Sequence, residues 1–244
     1  MLCSKEGKKY EKQIYNICKK CKLNEIVFNT QNEKELGGCN SKNDILCNYI
    51  DYYNIPIEIK KNKTPDWMQC SLKYDKEKEL WVGSEKNKIP QMSKKIFENL
   101  LENTKIFNGK IPPFIFKNIN HIEWINIKKN TNDFNDTYIS CPNDTIKKLY
   151  REKGCYYIQI SEKGLYHLGE DICNFNVPEF ICEQHLRIRT KVHNTKNKYG
   201  FCVLSVTVSC KPKNINNLQK SNYTLDNISQ LPIQLIYNSD DTLN

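Results

Sequence analysis

Between residues 6 and 22, Tyr10, Ile14, Ile17 and Cys21 recur at helical spacing with lysines between them, which predicts an amphipathic helix. Glu11 stands beside Tyr10 at the buried edge of that stripe. Residues 25–28 are a short apolar run expected to form a strand, and 29–43, polar and containing Gly37-Gly38, read as a loop or hairpin. Two strands are predicted next, over 44–50 and 55–60, joined by a tight hairpin connection at 51–54. In the second, Ile55, Ile57 and Ile59 face one way and Glu58 and Lys60 the other. Thr64-Pro65-Asp66 reads as a helix start, with the helix running through Gln69 to about Tyr74. Further on, the pattern predicts a strand at 80–83, a helix at 92–102, and a helix at 143–153 ended by Gly154. An insertion begins at Pro112-Pro113, and a polar stretch, 128–137, separates it from the 143–153 helix. Strands are expected at 155–160, 164–168, 183–192 and 201–210, the last two as an antiparallel hairpin across a turn at 194–200.

No repeat and no clear linker interrupts this pattern. The 244 residues are therefore expected to form a single α/β unit, with a core over 1–160 and a strand-rich lobe over 161–244. The last dozen residues are the expected frayed end. With 39% hydrophobic and 27% charged residues the composition is that of a globular protein. The net charge of +9 points to a polyanionic partner. Nearly all of it is Lys, in a chain also rich in Asn, Ile and Tyr, so codon bias accounts for part of it. Arg occurs only at Arg151, Arg187 and Arg189, which makes those three more informative. The polar start and the lack of any run of 18 apolar residues predict an intracellular protein without a membrane span. Most of the 12 cysteines are expected as buried thiols in a reducing compartment. Cys18 and Cys21, with Cys39 and Cys47, have no recognisable zinc-site spacing, and the first pair lies within a predicted helix.

The chemistry is carried by Asp44, then thirteen residues, then Glu58-Ile59-Lys60. Two carboxylates at neighbouring ends of adjacent strands can share one Mg²⁺, with the Ile59 carbonyl as a third hard oxygen ligand. Lys60 projects from the same face as Glu58 and can orient or help deprotonate an attacking water and neutralise charge on a transferring phosphoryl group. The alternative is an exposed strand end bearing ordinary surface charges.

This arrangement resembles the PD-(D/E)xK nuclease superfamily over roughly residues 6 to 83. Asn43 stands where that motif often has proline. The resemblance implies a restriction-endonuclease-like fold, a mixed central sheet flanked by helices, with a core that runs helix, three strands, helix, strand. It implies that Glu11 matches the family's first-helix glutamate, and Gln69 the glutamine on the helix after the lysine strand. It further implies an Mg²⁺-dependent endonuclease acting on double-stranded DNA, in restriction-type form a homodimer. A structure-selective nuclease and a non-catalytic DNA-binding module of the same fold remain open beside it, as does a protein-interaction domain. In the C-terminal half, Arg187, Arg189 and Lys191 fall on one face of a predicted strand and are the expected DNA contacts.

Overall fold

A computed structural model of the protein describes residues 2–20, 44–49, 52–63, 67–227 and 230. The chain opens with helix α1 (Leu2–Lys20), then strands β1 (Ile45–Tyr49), β2 (Tyr52–Lys60), β3 (Trp67–Asp75) and β4 (Leu80–Gly83). Helices α2 (Gln91–Leu101) and α3 (His121–Asn130) come next, then β5 (Thr137–Cys141) and helix α4 (Thr145–Glu152). Four more strands complete the order: β6 (Tyr157–Ile160), β7 (Gly164–His167), β8 (Gln184–Lys196) and β9 (Cys202–Pro212).

The strands make two sheets. The smaller is mixed, in the order β1-β2-β6-β7, and the larger is curled and antiparallel, in the order β4-β3-β9-β8-β5. The protein is thus mixed α/β, but with two sheets where the sequence pattern suggests one central sheet. They do not divide the chain at residue 160, because β7 closes the smaller sheet and β3, β4 and β5 help build the larger.

Strand β2 is the hinge of the smaller sheet. It pairs antiparallel with β1 and parallel with β6, in register Glu58 with Ile158 and Lys60 with Ile160. A parallel pair needs a crossover, and the chain between the two strands supplies α4 immediately before β6. Alternation then sends β2's side chains to two different environments. Ile57 and Ile59 join Tyr10 and Ile14 of α1, Tyr157, Leu165 and Phe175 in one apolar cluster. Glu58 and Lys60 share the opposite face with Ile158 and Ile160, which belong to the larger cluster formed by α2, α4 and the inner face of the larger sheet.

Gly164 shows how the far edge is sealed. Its φ is +106°, and a Cβ there would stand 2.5 Å from the Tyr223 carbonyl oxygen. Glycine lets the 221–225 segment lie against β7, where the Leu165 amide donates to that same oxygen at 2.8 Å. Helix α3 begins at a reciprocal cap, with Asn120 Oδ1 accepting from the Ile122 and Glu123 amides and the Asn120 amide donating in return to the Glu123 carboxylate.

Two expectations are corrected. Residues 67–75 form a strand, not a helix. Cys70 and Leu72 are buried while Ser71 and Lys73 alternate outward, so the period is two, and β9 pairs with this segment from Trp67 to Leu72. The β1–β2 connection is tighter than 51–54, since Tyr52 already pairs with Tyr49. The polar stretch 128–137 joins the end of α3 at Asn130 to the start of β5 at Thr137. The predicted strand at 25–28, the loop at 29–43, the helix start at 64–66 and the frayed C-terminal end lie outside the described residues, as do the side chains of Cys18, Cys21, Cys39 and Cys47. The seven described cysteines are free thiols, with Cys70, Cys155, Cys173 and Cys210 buried. No helix among the described residues is long and apolar enough to cross a membrane.

Candidate active site

Asp44 sits at the residue before β1, beside the C-terminal end of β2. The Ile59 amide donates to Asp44 Oδ2 at 2.9 Å. This bond is a consequence of strand geometry. Pro56 and Lys60 turn their carbonyls toward the β6 side, where Tyr156 and Ser161 amides donate to them. Ile59, one residue out of phase, directs its main-chain groups to the β1 side, and Asp44 is what it meets there.

Glu58 is 2% exposed and fully engaged. Lys60 Nζ donates to its Oε1 at 2.5 Å. Lys153 Nζ, at the end of α4, donates to its Oε2 at 2.7 Å, and the Cys155 thiol lies 3.7 Å from the same oxygen. Lys60 Nζ is also 3.6 Å from Asp44 Oδ2, so its ammonium bridges the two carboxylates. Both lysines lie over one aromatic ring, Lys60 Nζ at 5.5 Å and Lys153 Nζ at 5.9 Å from the Tyr150 centroid. The Tyr150 hydroxyl in turn accepts a bond from the Met68 amide at 3.2 Å, which ties the site to the start of β3.

The electrostatics reflect this packing. Burial pushes the Glu58 carboxyl up, but the Lys153 and Lys60 ammonium groups outweigh it and hold Glu58 below its ordinary range. Burial and the Glu58 charge together raise Asp44. Burial lowers Lys60 and Lys153, and the carboxylates beside them reverse that, so both stay protonated at neutral pH. Glu11, buried on α1, is pushed up to about 7, by burial first and by Asp44 second.

Four of the five expected site residues, Asp44, Glu58, Lys60 and Glu11, therefore belong to one electrostatic unit. Gln69 does not stand where the resemblance implies. It lies on β3, opposite Ser209 of β9, and not on a helix. The helix that leads from β2 into its parallel partner is α4, displaced along the chain by the 67–141 segment, and it brings Tyr150 and Lys153 to Glu58. The sequence pattern singles out neither. The only local signal is the stripe of Ile146, Leu149 and Tyr150 on α4, which fixes the face but not its purpose.

Asp44 and Glu58 with the Ile59 carbonyl are a hard-oxygen set suited to Mg²⁺. Asp44 Oδ2 and both Glu58 oxygens accept bonds, and each ionised carboxylate has more acceptor positions than those bonds use. No group of three or more His, Cys, Asp or Glu side chains poised for a metal occurs among the described residues.

The expected DNA contacts lie on β8 of the larger sheet. Arg187, Arg189 and Lys191 share one face, opposite Ser209, Thr207 and Ser205 of β9. Arg187 is not a free cation, since its Nε and Nη2 donate to Asp136 Oδ2 at 2.8 and 2.6 Å.

No protein-family model, curated protein or solved structure matches the chain.

Proposed function

We propose that the protein is a metal-dependent DNA endonuclease centred on Asp44, Glu58 and Lys60. The observation that carries this reading is the burial of Glu58 between two lysines on a face otherwise given to Ile158 and Ile160. Ionised groups are rarely buried without a partner or a use, and an exposed strand end would need neither lysine. Around the smaller sheet α1, β1 and β2 are followed, after the intervening 67–141 segment, by α4 and the parallel strand β6, with Asp44 leading into β1 and Glu58-Ile59-Lys60 closing β2, and this too supports it.

Asp44, Glu58 and the Ile59 carbonyl would hold Mg²⁺, which when bound polarises the phosphoryl oxygens and acidifies a water. The protein's own residues do the rest. Lys153 and Lys60 favour the ionised form of Glu58, the form that would serve as a ligand. Lys60 carries its proton, so its role is to orient water and to place positive charge against the phosphoryl group, rather than to take a proton. Glu11, raised to about 7 by burial and by Asp44, is a carboxyl of the site that could take up a proton near neutral pH. Arg189 and Lys191 on β8 would position phosphates.

The test is cleavage of supercoiled plasmid and of branched DNA with Mg²⁺ or Mn²⁺. Activity that falls at least about 100-fold in Glu58→Ala and Lys60→Ala is expected. Fixed cuts in unbranched duplex identify a site-specific, restriction-type enzyme, for which a homodimer is the expected form. Cuts confined to branched DNA identify a structure-selective one. Folded protein that cuts neither substrate with either metal overturns the nuclease reading and leaves a DNA-binding module.

A further inference from the structure

Residues 184–225 contain eight Lys or Arg and no Asp or Glu, so this one stretch holds eight of the chain's nine net positive charges. It comprises the β8–β9 hairpin and the segment after it. Near its base the hairpin is embedded in the larger sheet. β5 pairs with β8 only as far as Ile188, and β3 pairs with β9 only from Val206 onward. Beyond those points the two strands pair only with each other, through Val192 opposite Leu204 and, past an irregularity, Lys196 opposite Cys202, while Leu204 still packs on the core and Cys202 and Val203 face the 114–119 segment across a shallow pocket. At about 3.3 Å per residue this is an arm of roughly 20 Å.

The arm ends in a fixed turn. Asn197 Oδ1 accepts from the Tyr199 amide at 2.9 Å and the Phe201 amide at 3.1 Å, and Gly200 takes the positive φ (+81°) that closes it. Tyr199 is 55% exposed and Phe201 39%, with Lys196 and Lys198 beside them. Among the described residues no carboxylate lies within ion-pair distance of Lys191, Lys196 or Lys198. Nothing in the apolar core requires two rings at this tip, and the turn that presents them is ordered by its own side chain.

We propose that this tip is a nucleic-acid contact in which Tyr199 and Phe201 stack on unpaired bases while Lys196 and Lys198 hold the adjoining phosphates. Every base has a π-face, so flat rings flanked by ammonium groups suit single-stranded or locally opened DNA without regard to sequence. A continuous duplex hides those faces and offers only its phosphates to the same lysines. The choice of DNA over RNA rests on the proposed endonuclease activity; the stacking contact does not.

The test is equilibrium binding of the full chain to fluorescein-labelled DNA of about 20 nucleotides, single-stranded, duplex, and duplex with a central unpaired loop. EDTA is present throughout, so no cleavage contributes. Tyr199→Ala with Phe201→Ala is expected to weaken single-stranded and looped DNA at least about tenfold and the duplex less than about twofold. Lys196→Ala with Lys198→Ala is expected to weaken all three similarly and to flatten the salt dependence. Unchanged unfolding midpoints in both variants show that the fold is intact. Equal loss on duplex and single strand in the aromatic variant, or no loss on either, overturns the proposal, as does tighter binding to an acidic peptide than to any of the three DNAs. Selective loss in a protein that never cleaves DNA leaves the arm standing and removes the nuclease reading instead.

Discussion

Strands β2 and β9 each bury both of their faces, yet they fill the second face differently. On β9, Val206, Val208 and Cys210 face the core while Thr207 and Ser209 occupy the other side, each 2% exposed. On β2, Ile57 and Ile59 face α1 while Glu58 and Lys60 occupy the other side. A buried hydroxyl left without a partner costs about 1–3 kcal/mol, whereas each buried ion costs several, even after relaxation. Small neutral groups thus fill a hidden sheet face with little penalty, and β9 uses them. Strand β2 uses a carboxylate that needs two lysines, an aromatic ring and a thiol around it, an arrangement that stability alone does not select.

The largest test of that contrast is Glu58→Ala. It leaves Lys60 and Lys153 buried around a void with Asp44 as their remaining counter-charge, and about 3–5 kcal/mol of stability should be lost in denaturant titration. Replacing the unit by Asp44→Asn, Glu58→Leu, Lys60→Met and Lys153→Met should recover most of that loss, or exceed the starting stability, while the proposed cleavage stays abolished. Recovery of stability without activity separates what the charges do for the fold from what they do for chemistry. A loss below about 1 kcal/mol in Glu58→Ala would mean that the site is solvated and that the contrast with β9 is empty.

Local pattern makes much of this legible. The alternation at Ile57, Glu58, Ile59 and Lys60 places the carboxylate and lysine on one face, and the helical stripe through Tyr10 and Ile14 puts Glu11 at a buried edge. Strand β4, helices α2 and α4, and the β8–β9 hairpin emerge from periodicity and turn residues in the same way. What pattern misses is long-range. Trp67, Met68 and Cys70 are all buried, so the start of β3 lacks a clean alternation, and its strand character comes from pairing with β9, more than 130 residues away. With β3 read as a helix, Gln69 is assigned to the site and α4 is not. Lys153 is one lysine among many, and only its 2.7 Å contact with Glu58 distinguishes it.

A second, smaller test uses Glu11, whose carboxyl is raised to about 7 by burial and by Asp44. A carboxyl held above its unfolded value of about 4.5 favours the protonated folded state. Its contribution is therefore fully present below about pH 4.5 and is lost as pH rises through 7. In EDTA, Glu11→Gln should match the parent near pH 4.5 and become the more stable protein by about pH 8, by at most about 3 kcal/mol. The difference between the two unfolding midpoints across that range is the quantity to measure, because the other titrating groups cancel in it. A constant difference means that neither burial nor Asp44 raises Glu11, and the site then shrinks to Asp44, Glu58, Lys60 and Lys153. Mg²⁺ should reduce the penalty at the alkaline end, since added positive charge favours ionised Glu11.

The smallest expected effect is on β9 itself. Thr207→Val keeps the shape and removes only the hydroxyl, and an apolar group of matching shape on a buried face is close to neutral, so the change should stay within about 1 kcal/mol. Its partners Ser71 on β3 and Arg189 on β8 remain in place, and the proposed DNA cleavage should be unaltered. Set beside Glu58→Ala, the two substitutions share burial and sheet position and differ in the charge and the side-chain volume that are lost. If Thr207→Val proves as damaging as Glu58→Ala, position in a doubly covered sheet is what matters, and the buried charge of β2 no longer argues for chemistry. If the effects differ by the several kcal/mol expected, and Glu58→Gln, which keeps the volume, costs nearly as much as Glu58→Ala, the cost belongs to the charge. Strand β2 then carries a group that the fold must be built to tolerate.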